Sequence, residues 1–93
     1  MNEQEIKNEI VNTMLHKRII GNSKAQVTTV VGRYAAIPSH AEGRAKELVD
    51  ELVQEGIVER YGGSHRANIR LADADIAVEY LKKNDGDIPF GFD

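Results

Sequence analysis

The pattern of apolar residues predicts an α+β fold that is mostly helical: three helices, a two-stranded β-hairpin and an extra C-terminal helix. Three observations carry that expectation. Apolar residues recur at the helical period up to Gly56. β-Branched and aromatic residues take over immediately after it, and Gly62-Gly63 separates two such runs. The 93 residues suffice for one core and leave no room for a second folding unit.

Ile6, Ile10, Val11, Met14 and Leu15 fall on one face of a helix predicted over Gln4–Arg18, with Glu3, Lys7, Asn8 and Asn12 opposite. Gly21 and Asn22 are expected to stop it, and Ser23 to cap the next helix. Val27, Val30, Val31 and Tyr34 repeat the period, predicting a second helix over Lys24–Tyr34 that Pro38 closes off. Ser39-His40-Ala41-Glu42 reads as a capping box, in which the Ser39 hydroxyl accepts from the Glu42 amide and the Glu42 carboxylate accepts from the Ser39 amide. Ala41, Ala45, Leu48, Val49, Leu52 and Val53 then form the stripe of a third helix, and Gly56 suits the left-handed residue that ends it. Ile57–Tyr61 and Ala67–Leu71 read as the hairpin strands. Asp73 or Asp75 can cap a last helix bearing Ile76, Tyr80 and Leu81, which Asn84-Asp85-Gly86-Asp87 ends.

The hydrophobic fraction of 41% and charged fraction of 29% are those of an ordinary globule, and the formal charge of -3 excludes nucleic-acid binding by bulk charge alone. Absence of cysteine removes disulfides, thiol nucleophiles and thiolate metal clusters. With no apolar run long enough for a membrane and no signal-like start at Met1-Asn2-Glu3, a cytoplasmic address without membrane contact is expected. Charge is unevenly distributed. Residues 16–38 hold Lys17, Arg18, Lys24 and Arg33 and no acid, whereas residues 39–56 set Arg44 and Lys46 against five acids. The hairpin carries Arg60, Arg66 and Arg70 against Glu59, and residues 72–93 are acidic again.

The order of elements, and above all the run from the capped helix into QEGIVERYGGSHRANIRL, resembles the winged helix-turn-helix superfamily over Gln4–Leu71. The resemblance implies a winged helix-turn-helix domain at 1–84, with Ser39–Glu55 as the recognition helix and Ile57–Leu71 as the wing, followed by a tail at 85–93. It also implies a transcriptional regulator that binds double-stranded DNA, with the third helix in the major groove and the wing on phosphates or the minor groove. Base contacts in such motifs come from the first turns of the helix, which nominates Ser39, His40, Gly43, Arg44, Lys46 and Glu47. Gly43 would allow close approach and Arg44 could fork onto guanine, while Glu47 is awkward beside a duplex. Lys24, Arg60, His65 and Arg66 complete the expected DNA-binding set, the last two at the wing tip. Arg60 and Arg70 could equally pair with Glu59 and neighbouring acids.

Catalysis is not expected. His16, His40 and His65 lie on separate elements without metal-ligand spacing, no phosphate-binding glycine motif occurs, and neither a metal nor a cofactor is implied. Ser39 already has a role as a cap. Two functions remain, a DNA-binding regulator and a protein-interaction module docking through Glu47, Asp50 and Glu51. The regulator would be a homodimer through the first and last helices, where Ile76, Val78, Tyr80 and Leu81 exceed what one short core needs. Phe90 and Phe92, the only phenylalanines, sit among aspartates in the tail and read as anchors, for this domain's own helices or for a protein partner.

Overall fold

Burial of the predicted stripes organises the whole chain. A computed structural model describes residues 1–62 and 67–92. Its elements are α1 (Glu3–His16), β1 (Ala25–Gln26), α2 (Val27–Thr29), which continues as a π-helical turn at Val30–Tyr34, a 3-10 turn at Ser39–Ala41, α3 (Glu42–Gln54), β2 (Val58–Tyr61), β3 (Asn68–Leu71) and α4 (Ala74–Lys83). The fold is α+β. No helix among the described residues is long and apolar enough to cross a membrane.

On α1, Ile6, Ile10, Val11, Met14 and Leu15 are all buried. The helix begins with a capping box that sequence reading overlooked: Asn2 Oδ1 accepts from the Glu5 amide at 2.8 Å, and the Asn2 amide donates to Glu5 Oε1 at 2.8 Å. It also ends earlier than expected. Arg18, at φ 55°, is the left-handed residue, with bonds from its amide to Leu15 O and from the Ile19 amide to Met14 O. Gly21 and Asn22 therefore lie in the connection, not at the helix stop.

The second helix is shorter than its period predicts. Ala25 and Gln26 are drawn into the sheet, opposite Ile69 and Asn68, and Gln26 rather than Ser23 precedes the helix. Through the π turn the Ala35 amide reaches Val30 O. That turn keeps Val30 and Val31 fully buried but swings Tyr34, the last residue of the predicted stripe, out to 41% exposure. An extra residue per turn breaks the 3.6 period, so Tyr34 leaves the core.

At α3 the apolar stripe holds, with Ala45, Leu48, Val49 and Leu52 buried, but the Ser39 capping box does not form. Ser39–Ala41 is a 3-10 turn closed by the Ala41 amide on Pro38 O, and no side chain caps α3. Glu42 becomes the first helical residue instead of the third, so the two groups of the predicted box are out of register. Gly56 ends the helix as expected, at φ +81°, with the Ile57 amide on Leu52 O.

The sheet is antiparallel in the order β1-β3-β2. Central strand β3 turns Ile69 and Leu71 into the core. Register pairs Val58 with Leu71, Glu59 with Arg70, Arg60 with Ile69 and Tyr61 with Asn68. Alternation therefore puts Arg60 on the helix-facing side and Glu59, Tyr61, Asn68 and Arg70 on the other.

Asp73 caps α4, accepting from the Asp75 and Ile76 amides. Val78, Tyr80 and Leu81 are buried in this chain's own core, so of the four residues expected to form a dimer surface only Ile76 is exposed. The tail then runs along α1. Asn8 Nδ2 donates to Asn84 O at 2.9 Å and Asn12 Nδ2 to Asp87 O at 2.7 Å. A Cβ at Gly86 would meet Leu81 Cδ2 at 2.7 Å, so close packing against α4 and α1 requires glycine there. Phe92 packs against the core, whereas Phe90 is fully exposed, so only one of the two expected anchors docks on the chain itself.

Candidate nucleic-acid interface

The outer face of α3 is formed by Gly43, Lys46, Glu47, Asp50 and Gln54, all exposed, with Ser39 and His40 exposed just before it. The structure thus brings Ser39, His40, Gly43, Lys46 and Glu47 together at the beginning of the helix. Nothing lies within 4 Å of a Cβ built on Gly43. Neither backbone conformation nor packing within the chain requires glycine at this position.

Arg44 does not point to a free ligand site. Its guanidinium forks onto Glu3 at the start of α1, with Nε to Oε2 at 2.5 Å and Nη2 to Oε1 at 2.8 Å. The same group reaches Glu47 Oε1 at 3.4 Å and Glu51 Oε2 at 3.3 Å. The hydrogen bond to Glu3 raises the Arg44 pKa, and the reciprocal bond holds the Glu3 carboxyl below its usual value. One turn on, Lys7 binds Glu51 at 3.0 Å and Glu55 at 3.4 Å. Burial alone would pull the Lys7 ammonium down, but hydrogen bonding to Glu51 and the Glu55 charge outweigh it and leave its pKa raised. Glu3, Lys7, Arg44, Glu47, Glu51 and Glu55 together form an ionic clamp between α1 and α3. Sequence spacing could show Arg44 and Glu47 as helical neighbours; no local signal pairs Arg44 with Glu3.

Arg60, on the helix-facing side of the hairpin, is bound to Asp50 of α3. Arg70 pairs with Glu59 at 2.8 Å directly across the strands and also donates to Gly21 O. Both hairpin arginines in the described residues are thus engaged with acids: Arg70 with Glu59 on the sheet, as one sequence reading has it, and Arg60 with an acid of α3 instead of the sheet. His65 and Arg66, the expected wing-tip contacts, lie outside the described residues.

The cations without a carboxylate lie elsewhere. Among the described residues, Lys17, Arg18, Lys24, Arg33 and Lys46, together with Lys82 and Lys83 at the end of α4, are exposed and in no ion pair. Three of them sit over rings: Lys17 over Tyr34 at 4.7 Å, Arg18 over Phe92 at 4.8 Å and Lys24 over Tyr61 at 6.0 Å. A ring orients a cation without neutralising it. Tyr61 is shared, since the Arg70 guanidinium lies 4.6 Å from the same ring. Lys24 is therefore held beside the turn end of β2, shortly before the start of α2. The cation–ring contacts were not legible beforehand, because each joins residues far apart in the chain.

No group of three or more acidic or imidazole side chains among the described residues is arranged to hold a metal ion. Comparison of the chain with protein-family models, with curated proteins and with solved structures yields no match.

Proposed function

We propose that this chain is a winged helix domain that binds duplex DNA as a regulator of transcription, with the start of α3 in the major groove and the hairpin against the backbone. The observation that carries the reading is the layout. The elements run α1, β1, α2, α3, β2, β3, the sheet runs β1-β3-β2, and the outer face of α3 is exposed among the described residues. This layout is consistent with the helices and two-stranded hairpin that the sequence resemblance implies, and it adds the short strand β1 to them.

The roles of individual residues change with the charge pairing. Lys24 and Lys46, exposed and without carboxylate partners, carry the phosphate contacts. His40 and the open backbone at Gly43 lie at the groove. Arg44 acts in the clamp to α1 and not as a reader of guanine. The competing reading, an acidic docking face on α3, has weaker support: Glu47, Asp50 and Glu51 are each paired with a cation of the same chain.

The test is fluorescence anisotropy of labelled random duplex at stepwise salt. A linear fall of log affinity with log salt, steep enough for several phosphate contacts, is expected. Absence of binding even at low salt overturns the reading.

A further inference from the structure

The outer face of the sheet gathers charge in a way that strand pairing alone disfavours. Glu59 and Arg70 are register partners across β2 and β3, and Arg70 Nε donates to Glu59 Oε1 at 2.8 Å. On the other side of β3, Ala25 pairs with Ile69, so Lys24, one residue earlier, enters the sheet beside Arg70. The row across the sheet therefore reads cation, cation, carboxylate, with one positive charge in excess. Like charges side by side on neighbouring strands repel. Lys24 is exposed, so packing does not account for the second cation.

Tyr61 offsets that repulsion. It lies on the same face, opposite Asn68 and two residues along β2 from Glu59, and is 37% exposed. The Arg70 guanidinium lies 4.6 Å and the Lys24 ammonium 6.0 Å from its ring centroid, and its hydroxyl donates to Glu59 Oε1 at 3.2 Å. The electron-rich ring face attracts both cations and cancels neither charge. Backbone on either side of Lys24 is fastened as well. Arg70 Nη1 donates to Gly21 O, and Ala25 and Gln26 are paired with β3. Lys24 thus reaches from the β1 edge, over the central strand, to a ring on β2. A long side chain held this way has less rotational freedom to lose when it meets an anion.

We propose that Tyr61 is a positioning residue that holds Lys24 beside Arg70, and that the two cations together seat one backbone phosphate of the duplex. Glu59 already balances one of the two charges, and a phosphodiester, with its single negative charge, balances the other. The proposal rests on the duplex-binding reading and adds to it a residue that carries no charge of its own.

Anisotropy titrations with the labelled random duplex at stepwise salt compare wild type with Tyr61→Leu, Tyr61→Phe, Lys24→Ala and the double variant Lys24→Ala with Tyr61→Leu. Tyr61→Leu should weaken binding about two- to fivefold although no charge is removed. Tyr61→Phe keeps the ring and should retain most of the affinity. Lys24→Ala should lower the salt slope by about one. In the double variant the leucine should add little to the loss from Lys24→Ala, because ring and ammonium act as a unit. In the free protein, the Lys24 ε-methylene protons should show a ring-current shift in wild type and Tyr61→Phe that Tyr61→Leu abolishes. Circular dichroism checks the fold of each variant, and the coupling to Lys24 is a readout that a merely structural role for Tyr61 would not move. If wild type binds duplex and Tyr61→Leu binds it equally well, or if the leucine costs as much without Lys24 as with it, the phosphate seat is overturned and duplex binding stands. A wild type that binds no duplex at low salt overturns both.

Discussion

The outer side of α3 and the stretch from α1 to α2 both carry cations, but in different states. Around α3, cations and carboxylates neutralise one another: Arg44 with Glu3, Glu47 and Glu51, and Arg60 with Asp50. Between Lys17 and Arg33 there is no acid in the sequence, and the cations either face solvent or lie over rings. A count of charges along the chain separates the two regions but does not show which cations are already neutralised. What a polyanion meets is the unpaired charge, which among the described residues includes Lys17, Arg18, Lys24, Arg33 and Lys46.

The difference is most directly broken or sharpened by charge reversal. Lys24→Glu with Lys46→Glu should weaken duplex binding at least about tenfold and lower the salt slope by about two. Arg44→Ala should leave base preference unchanged and act on stability, because its partners belong to the α1–α3 clamp. A relaxed preference at one base position in Arg44→Ala, measured by competition with variant duplexes, would return Arg44 to the role of a base reader.

A comparison of two helix starts comes next in size. Asn2→Ala removes a formed cap and should cost about 0.5–2 kcal/mol in chemical denaturation. Ser39→Ala removes a side chain that caps nothing and should stay within about 0.5 kcal/mol. Equal losses would mean that the 3-10 turn before α3 is not its true beginning.

Gly43→Ala separates stability from binding within α3. Alanine is favoured over glycine inside a helix by about 0.5–1 kcal/mol, and open space receives the added methyl. The variant should be more stable by that amount yet bind duplex less well, as a methyl group then stands between helix and DNA. Improved stability with unchanged affinity would show that the helix backbone does not approach the duplex there.

The smallest expected effect is at acid pH. Since the folded Glu3 carboxyl titrates below its ordinary value of 4.5, the folded chain binds fewer protons than the unfolded one there. Its contribution is complete above that value and is lost as pH falls through the lower, folded one. Glu3→Gln should flatten the stability profile in this window, measured as denaturation midpoint against pH, while leaving the profile near neutrality parallel to wild type.

Read alone, the sequence determined the elements whose signal is local and redundant. The stripe Ala45, Leu48, Val49 and Leu52 could be buried on one side only, the β-branched runs after Gly56 could only pair, and Gly56 stands where a helix must turn left-handed. The cap of α4 was legible as Asp73 or Asp75 for the same reason, since donor and acceptor lie within three residues, and the structure selects Asp73. Where two local answers compete, tertiary structure decided. Ala25 and Gln26 left a helical pattern because β3 offered hydrogen bonds along its edge. Ser39 lost its cap when the chain after Pro38 entered a 3-10 turn, and Tyr34 left the core when a π turn broke the period. The longest-range charge pairings were tertiary. Glu3 and Arg44 are 41 residues apart, and only the packing of α1 on α3 brings them into contact. Hydrophobic period is a property of neighbours along the chain, whereas the pairing of charges is a property of neighbours in space.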